Sequence, residues 1–356
     1  MKIAIRADAS YEMGSGHVVR SLVLADTITA KGCRVFFVCR LLDGHLISAI
    51  RSRGFEVVVF GDASGKTNSA TSTDWLGVTQ QEDAKNTIEN LKGRLIDILF
   101  VDHYSLDTEW ETLIRPHVGS IVVIDDLANR NHNCDFLIDQ NFRNDNLSCY
   151  KALVPENCKT LLGLRYAILS SEYLNYRDTI PLRDGVINRA LVYFGGTDWQ
   201  NMTSLALKAL SKPEFSFLEV DVVIGSNYPF LSDLGKLIDK RPKTKLHQQL
   251  PSLAKLMSIA DIAIGAGGTS LWERMSMGLP ALVVSLAENQ VRSCEALQKE
   301  NLINYLGSYK NLSNDFLSKN LRDMIQSPKD NYKLSMRISE HVDCYGPNRI
   351  VKAIGL

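Results

Sequence analysis

A rhythm constrains this chain more than any single motif. Short runs of Val, Ile, Leu and Phe recur, separated by longer stretches with helical periodicity. In the first half the runs are "KIAIRAD", "RVFFVCR", "EVVVF", "IDILFVDH", "IVVIDDL" and "DFLID". Near-continuous apolarity is what a strand covered on both faces requires, and the helical stretches supply the crossovers of a parallel sheet. Residues 18–31 are one such stretch: Val18, Leu22, Ala25 and Ile28 share a face, and Gly32 closes the end. The rhythm lapses over 140–188, where "NFRNDNLSCYKALVPENCKT" is polar and irregular. It resumes with "RALVYFGGTD", "LEVDVVIG", "DIAIGAGG" and "PALVVSL". A chain of 356 residues also exceeds one ordinary core. The expected fold is therefore α/β, with two Rossmann-like doubly wound domains facing a cleft and ligands at the carboxyl ends of the strands. Expected bounds are 1–160 for the first domain, 161–187 for an interdomain segment and 188–340 for the second. Residues 341–356 are read as a C-terminal helix packing back on the first domain.

Charge and cysteine usage narrow the partners. Lys and Arg total 40 and Asp and Glu total 40, so no global field draws the chain to nucleic acid or an anionic membrane. Seven cysteines, at 33, 39, 134, 149, 158, 294 and 344, show no C-x-x-C spacing. That fits neither a disulfide framework nor a zinc ribbon, and suits a reducing cytoplasm. The start "MKIAIRADAS" has no apolar signal core, and no apolar run approaches the ~18 residues of a membrane span. A cytoplasmic monomer is expected. His45, His117, His132, His247 and His341 fall in polar or loop contexts without metal-ligand spacing, so neither a metal nor a cofactor is expected.

Four stretches carry candidate chemistry. In "DASYEMGSGHVVR" a strand ends near Asp8, Gly14 and Gly16 form a loop, and a helix begins near His17. Backbone N–H groups at such a helix start favour an anion, and a histidine there, exposed to the cleft, is a candidate general base. The plain alternative is a glycine turn with a bystander imidazole. In "YFGGTDWQN", Gly195 and Gly196 let the backbone approach a ligand, while Thr197 or Asp198 can cap the following helix. "IAIGAGGTSLWERMSMGLPALVV" is the most specific stretch. Gly265, Gly267 and Gly268 end a strand, and Thr269 and Ser270 start a helix, a second diphosphate-type cradle. Glu273, one turn on, is placed to accept hydrogen bonds from both ribose hydroxyls. In "SLAENQVRSCEAL", Asn289 and Gln290 either read sugar or phosphate or cap a helix. "FVDHYSLD" ends a buried strand with Asp102, His103 and Tyr104, of which His103 is equally well a structural partner of a nearby carboxylate.

Together, "IRADASYEMGSGHVVRSLVLA", "FVDHY", "GLRYAILSSEY", "VYFGGTD" and "GAGGTSLWERMSMGLPALVVSLAENQ" resemble the UDP-2,4-diacetamido-2,4,6-trideoxy-β-L-altropyranose hydrolases of pseudaminic acid biosynthesis. The resemblance runs in order to about residue 300. Its C-terminal block is similar to the wider glycosyltransferase-B superfamily, which includes the lipid II–forming N-acetylglucosaminyltransferases. That block indicates a UDP-sugar without separating hydrolysis from transfer. The resemblance implies metal-independent, inverting attack of water at the anomeric carbon of a UDP-activated amino sugar. It puts the base on His17, the nucleotide pocket on Gly267–Glu273 and Tyr166 in the interdomain segment. Such a site is chemically coherent with one base. A glycosidase needs a second carboxyl because its alcohol leaving group must be protonated, whereas UDP departs as a stabilised anion. Asp8 or Asp102 is expected to orient the imidazole or to hold a sugar hydroxyl. The alternatives are a glycosyltransferase, a hydrolysing 2-epimerase and a nucleotide-sugar-binding protein without turnover.

Overall fold

The computed structural model describes residues 1–61, 75–143 and 148–356. They form two compact units. One gathers Met1–Asn141, the segment ending at Ile168 and Tyr345–Leu356; the other runs Leu169–Cys344 and takes in Phe142 and Arg143.

The first unit is built on seven strands: β1 (Lys2–Ala7), β2 (Arg34–Arg40), β3 (Glu56–Phe60), β4 (Ile98–Asp102), β5 (Ser120–Ile124), β6 (Phe136–Asp139) and β7 (Lys159–Leu162). Their order across the sheet is β3-β2-β1-β4-β5-β6-β7, and every pairing is parallel. Alternate residues of β1 feed opposite faces. Ile3, Ile5 and Ala7 pack with Val18, Leu22, Ala25 and Ile28 of the helix Gly16–Thr29, and Ile350 and Val351 of the helix Gly346–Ala353 join the same core. Ala4 faces the other core, with Leu99, Val101 and Trp110. Parallel strands need long crossovers, so both faces are covered by helices and the strands read as apolar runs.

The second unit repeats the plan with β8 (Arg189–Tyr193), β9 (Glu219–Ile224), β10 (Thr244–Gln248), β11 (Ile262–Ala266), β12 (Ala281–Ser285) and β13 (Asn304–Ser308). The order is β10-β9-β8-β11-β12-β13, again parallel. In both sheets the chain winds one way from the first strand, then returns to that strand's other side. This reversal opens a crevice at the carboxyl ends of β1 and β4 in one unit and of β8 and β11 in the other. The expected α/β architecture of two doubly wound sheets is therefore observed. The irregular stretch over 140–188 contributes β7 to the first sheet and the helix Ser171–Arg177 to the second unit.

Candidate active site

At the β1/β4 reversal, the loop after β1 carries Gly14 at φ +79°, a left-handed turn bridged to Ser10. The helix Gly16–Thr29 then starts, placing His17, Arg20 and Ser21 at i, i+3 and i+4 on one face. That face meets Asp102, the last residue of β4. His17 Nδ1 lies 2.5 Å from Asp102 Oδ1. Arg20 grips the same carboxylate with both ends of its fork, Nε to Oδ2 at 2.6 Å and Nη2 to Oδ1 at 2.5 Å. Ser21 Oγ adds a longer contact at 3.4 Å. Burial pushes the Asp102 carboxyl up, but Arg20 and His17 outweigh it and hold the group well below the usual carboxylate range. An ionised carboxylate accepts only, so His17 Nδ1–H is the donor, and the neutral form of the imidazole then carries its lone pair on Nε2. Among the described residues nothing hydrogen-bonds Nε2. The Tyr104 ring stands edge-on to the imidazole, 4.4 Å between centroids.

Three expectations change here. His17 was read as exposed to a cleft, yet it is only 4 % exposed, because Asp102 and Tyr104 enclose it. Asp102 is fully buried and engaged by His17 and Arg20, so it acts on the histidine rather than on a sugar hydroxyl. Asp8 does not reach His17. It pairs with Arg6 at 2.6 Å, accepts the Arg40 N–H at 2.8 Å and has His103 Nε2 at 3.4 Å, beneath the loop. His103 is thus the structural partner of a carboxylate, and its Nδ1 accepts the Ser105 N–H.

The β8/β11 reversal holds the other candidates. Gly195 has φ +102° and forms the turn out of β8. Gly196 is exposed, and a Cβ there would meet nothing within 4 Å. Asp198 accepts the N–H groups of Met202 and Thr203, so a carboxylate already occupies the start of the helix Met202–Leu210. An anion at this end would therefore meet Gly196 rather than the helix terminus. After β11, Gly265 and Gly267 are explained by packing: a Cβ on the first would strike the Arg274 guanidinium and the Tyr193 carbonyl, and on the second Cys294 Sγ. Gly268 only skirts Gln290 Nε2 at 3.5 Å. Thr269 and Ser270 are half-buried at the start of the seven-residue helix Ser270–Ser276, with no side-chain cap. Gln290 Oε1 accepts the Leu286 N–H, ahead of the helix Glu288–Lys299, which has no side-chain cap at Ala287, and Asn289 is exposed one residue before it.

Burial pushes the Glu273 carboxyl up to about 7, against the hydrogen bond donated by the Tyr173 hydroxyl. Tyr173, on the helix Ser171–Arg177, is buried and was not singled out from sequence. Tyr166, which was, packs half-buried against the first unit's core. Both tyrosines lie in "GLRYAILSSEY", and only the second touches a candidate residue. Arg20 and Ser21 could have been found from their spacing to His17, since positions three and four apart share a helix face.

No family model matches the chain. It is 25% identical to an uncharacterized protein of Methanocaldococcus jannaschii in an alignment that covers 99% of this chain and 66% of that protein, just under two thirds. It is also 25% identical over 300 residues to the UDP-2,4-diacetamido-2,4,6-trideoxy-beta-L-altropyranose hydrolase of Campylobacter jejuni, covering 84% of this chain and 97% of that one. Among solved structures, MurG of Acinetobacter baumannii superposes with a TM-score of 0.68 at 12% identity, over 99% of this chain and 98% of MurG. The fold is thus that of MurG. Among the described residues no helix is long and apolar enough to cross a membrane.

Proposed function

We propose that this chain processes a UDP-sugar, and specifically that it hydrolyses a UDP-activated diacetamido-trideoxy amino sugar to the free sugar and UDP. The observation that carries the reading is the His17–Asp102 pair: a donor-side nitrogen held at 2.5 Å by an ionised carboxylate, and an opposite nitrogen left to take a proton. The named activity of the Campylobacter relative supports the substrate class. In the proposed reaction water attacks the anomeric carbon and its proton passes to His17 Nε2. The bond from that carbon to the diphosphate oxygen breaks, and its electron pair leaves with UDP, inverting the configuration. No acid is required for an already stabilised leaving group. The nucleotide contacts are assigned to the Gly195–Gly196 and Gly267–Gly268 backbones, to Thr269 and Ser270, and to Glu273 for the ribose. Tyr104, Asn289 and Gln290 are candidates for the sugar.

Incubation with the candidate UDP-sugar in oxygen-labelled water tests the reading. Label on the sugar's anomeric oxygen is expected; label on UDP would mean attack at phosphorus and would overturn it. A glycosyltransferase is the second reading, favoured by the likeness to MurG. It predicts that no UDP is released until an acceptor alcohol is added.

A further inference from the structure

An arginine beside a proposed diphosphate-leaving reaction would ordinarily be taken as an anion clamp. The geometry points to a different part for Arg20: we infer that it is a positioning residue, the hub of a closed ring of side chains that sets the tautomer and tilt of His17. This inference rests on the reading of His17 as the base.

The ring can be followed atom by atom. His17 Nδ1 meets Asp102 Oδ1 at 2.5 Å. Both Asp102 oxygens are held by the Arg20 fork, at 2.5 and 2.6 Å. The third Arg20 nitrogen, Nη1, reaches Asp126 Oδ2 at 2.9 Å. Asp126 interacts in turn with the Tyr104 hydroxyl. The Tyr104 ring closes the circuit by standing edge-on to the imidazole. Arg20 is therefore tied to both restraints on His17: the carboxylate that fixes its donor nitrogen and the aromatic ring that fixes its plane.

Two features argue against an anion-binding part. Arg20 is only 4 % exposed, and each nitrogen of its fork already donates to a carboxylate. Only the second N–H of Nη1 or Nη2 is left for a phosphate, on a side chain that is almost wholly enclosed. Arg20 Nη2 also approaches His17 Nδ1, but at 3.3 Å against 2.5 Å for the carboxylate. The shorter contact makes Nδ1 a donor to Asp102 rather than an acceptor from Arg20. Lysine does not reproduce this fork, because its ammonium lacks the planar, rigid array that spans both Asp102 oxygens and Asp126 at once.

The test compares Arg20→Lys, Arg20→Gln and Asp126→Asn with the wild-type chain. One readout needs no substrate: the ¹⁵N shifts of the His17 ring, assigned by their loss in His17→Phe. Wild type is expected to show a single tautomer with the proton on Nδ1, and Arg20→Gln a mixture. The second readout is the division between kcat and KM. A positioning part predicts a kcat lower by roughly 10²-fold in Arg20→Gln, with KM and UDP affinity within about threefold of wild type. Arg20→Lys is expected to fall between the two. A tautomer unchanged in Arg20→Gln, or UDP affinity weakened more than tenfold with kcat intact, overturns the inference. Asp126→Asn keeps the Asp102 contacts, so it serves if the Arg20 variants fail to fold; kcat reduced several-fold is expected, and full activity with wild-type ring shifts counts against the ring. Should His17→Phe retain activity, the base reading fails, while the ¹⁵N result still decides whether Arg20 sets the imidazole.

Discussion

At the scale of single residues, the difference between a crowded glycine and an open one becomes measurable. Gly267 sits against Cys294, so Gly267→Ala is expected to destabilise the second unit by about 1–3 kcal/mol, read as a lowered midpoint in denaturant. Gly196→Ala has open space and an ordinary backbone, so its stability should stay within about 0.5 kcal/mol of wild type. If the Gly196 backbone meets a diphosphate, that same variant should bind UDP more weakly; unchanged binding by calorimetry would remove Gly196 from the nucleotide contacts. His17→Phe should lose roughly 10²–10⁴-fold in kcat and keep its UDP affinity. Glu273 supplies a pH signature. Its carboxyl, pushed up to about 7 by burial, must be ionised to accept from two ribose hydroxyls. UDP affinity should therefore rise as pH increases through about 7 and level off above it, and Glu273→Gln should flatten the curve.

At the scale of elements, His132 staples the helix Thr108–Ile114 to the end of β5. Its Nδ1 lies 2.7 Å from Glu111 and its Nε2 3.9 Å from Asp125. Burial alone would lower its pKa, but the two carboxylates outweigh burial and raise it from 6.5 to about 9. A raised folded-state value means the stabilisation is fully present below pH 6.5 and is lost as pH climbs through about 9. Its size is roughly 3 kcal/mol, so thermal midpoints should fall across that window and His132→Gln should not show the fall. The same scale shows what sequence could and could not disclose. Every strand flanked on both sides was legible as an apolar run. The three that were missed, β7, β10 and β13, are all sheet edges. Their sequences, "KTLL", "TKLHQ" and "NYLGS", lack a continuous apolar run, whereas the fourth edge, β3, reads "EVVVF" and is legible. The candidate residues were legible singly, but the His17–Asp102 pairing was not. It joins positions 85 apart, and only the placement of β1 beside β4 brings them together.

At the scale of the whole molecule, both units share one winding scheme, and each reversal collects glycines and polar groups from non-adjacent loops. That is why short motifs scattered over the chain resolved into two clusters rather than many. The first unit also depends on the chain's last helix. Ile350 and Val351 are fully buried in its core, and Gly346 lies so close to the Ala167 backbone that any side chain there would collide with it. Removing Tyr345–Leu356 should expose the inner face of the helix that carries His17. Faster hydrogen exchange over Gly16–Thr29, with Met202–Leu210 unaffected, is the expected result; unchanged protection of Gly16–Thr29 would show that the last helix is dispensable.

That dependence has a consequence for how the protein is made. A ribosome delivers the seven strands of the first sheet early, but the helix that seals one of its faces emerges only after the entire second unit. During synthesis that face has the helix Gly16–Thr29 but lacks Ile350 and Val351, while the later-born unit owns a nearly unbroken stretch of sequence and can close on its own. The part of the chain translated first is therefore the part that matures last.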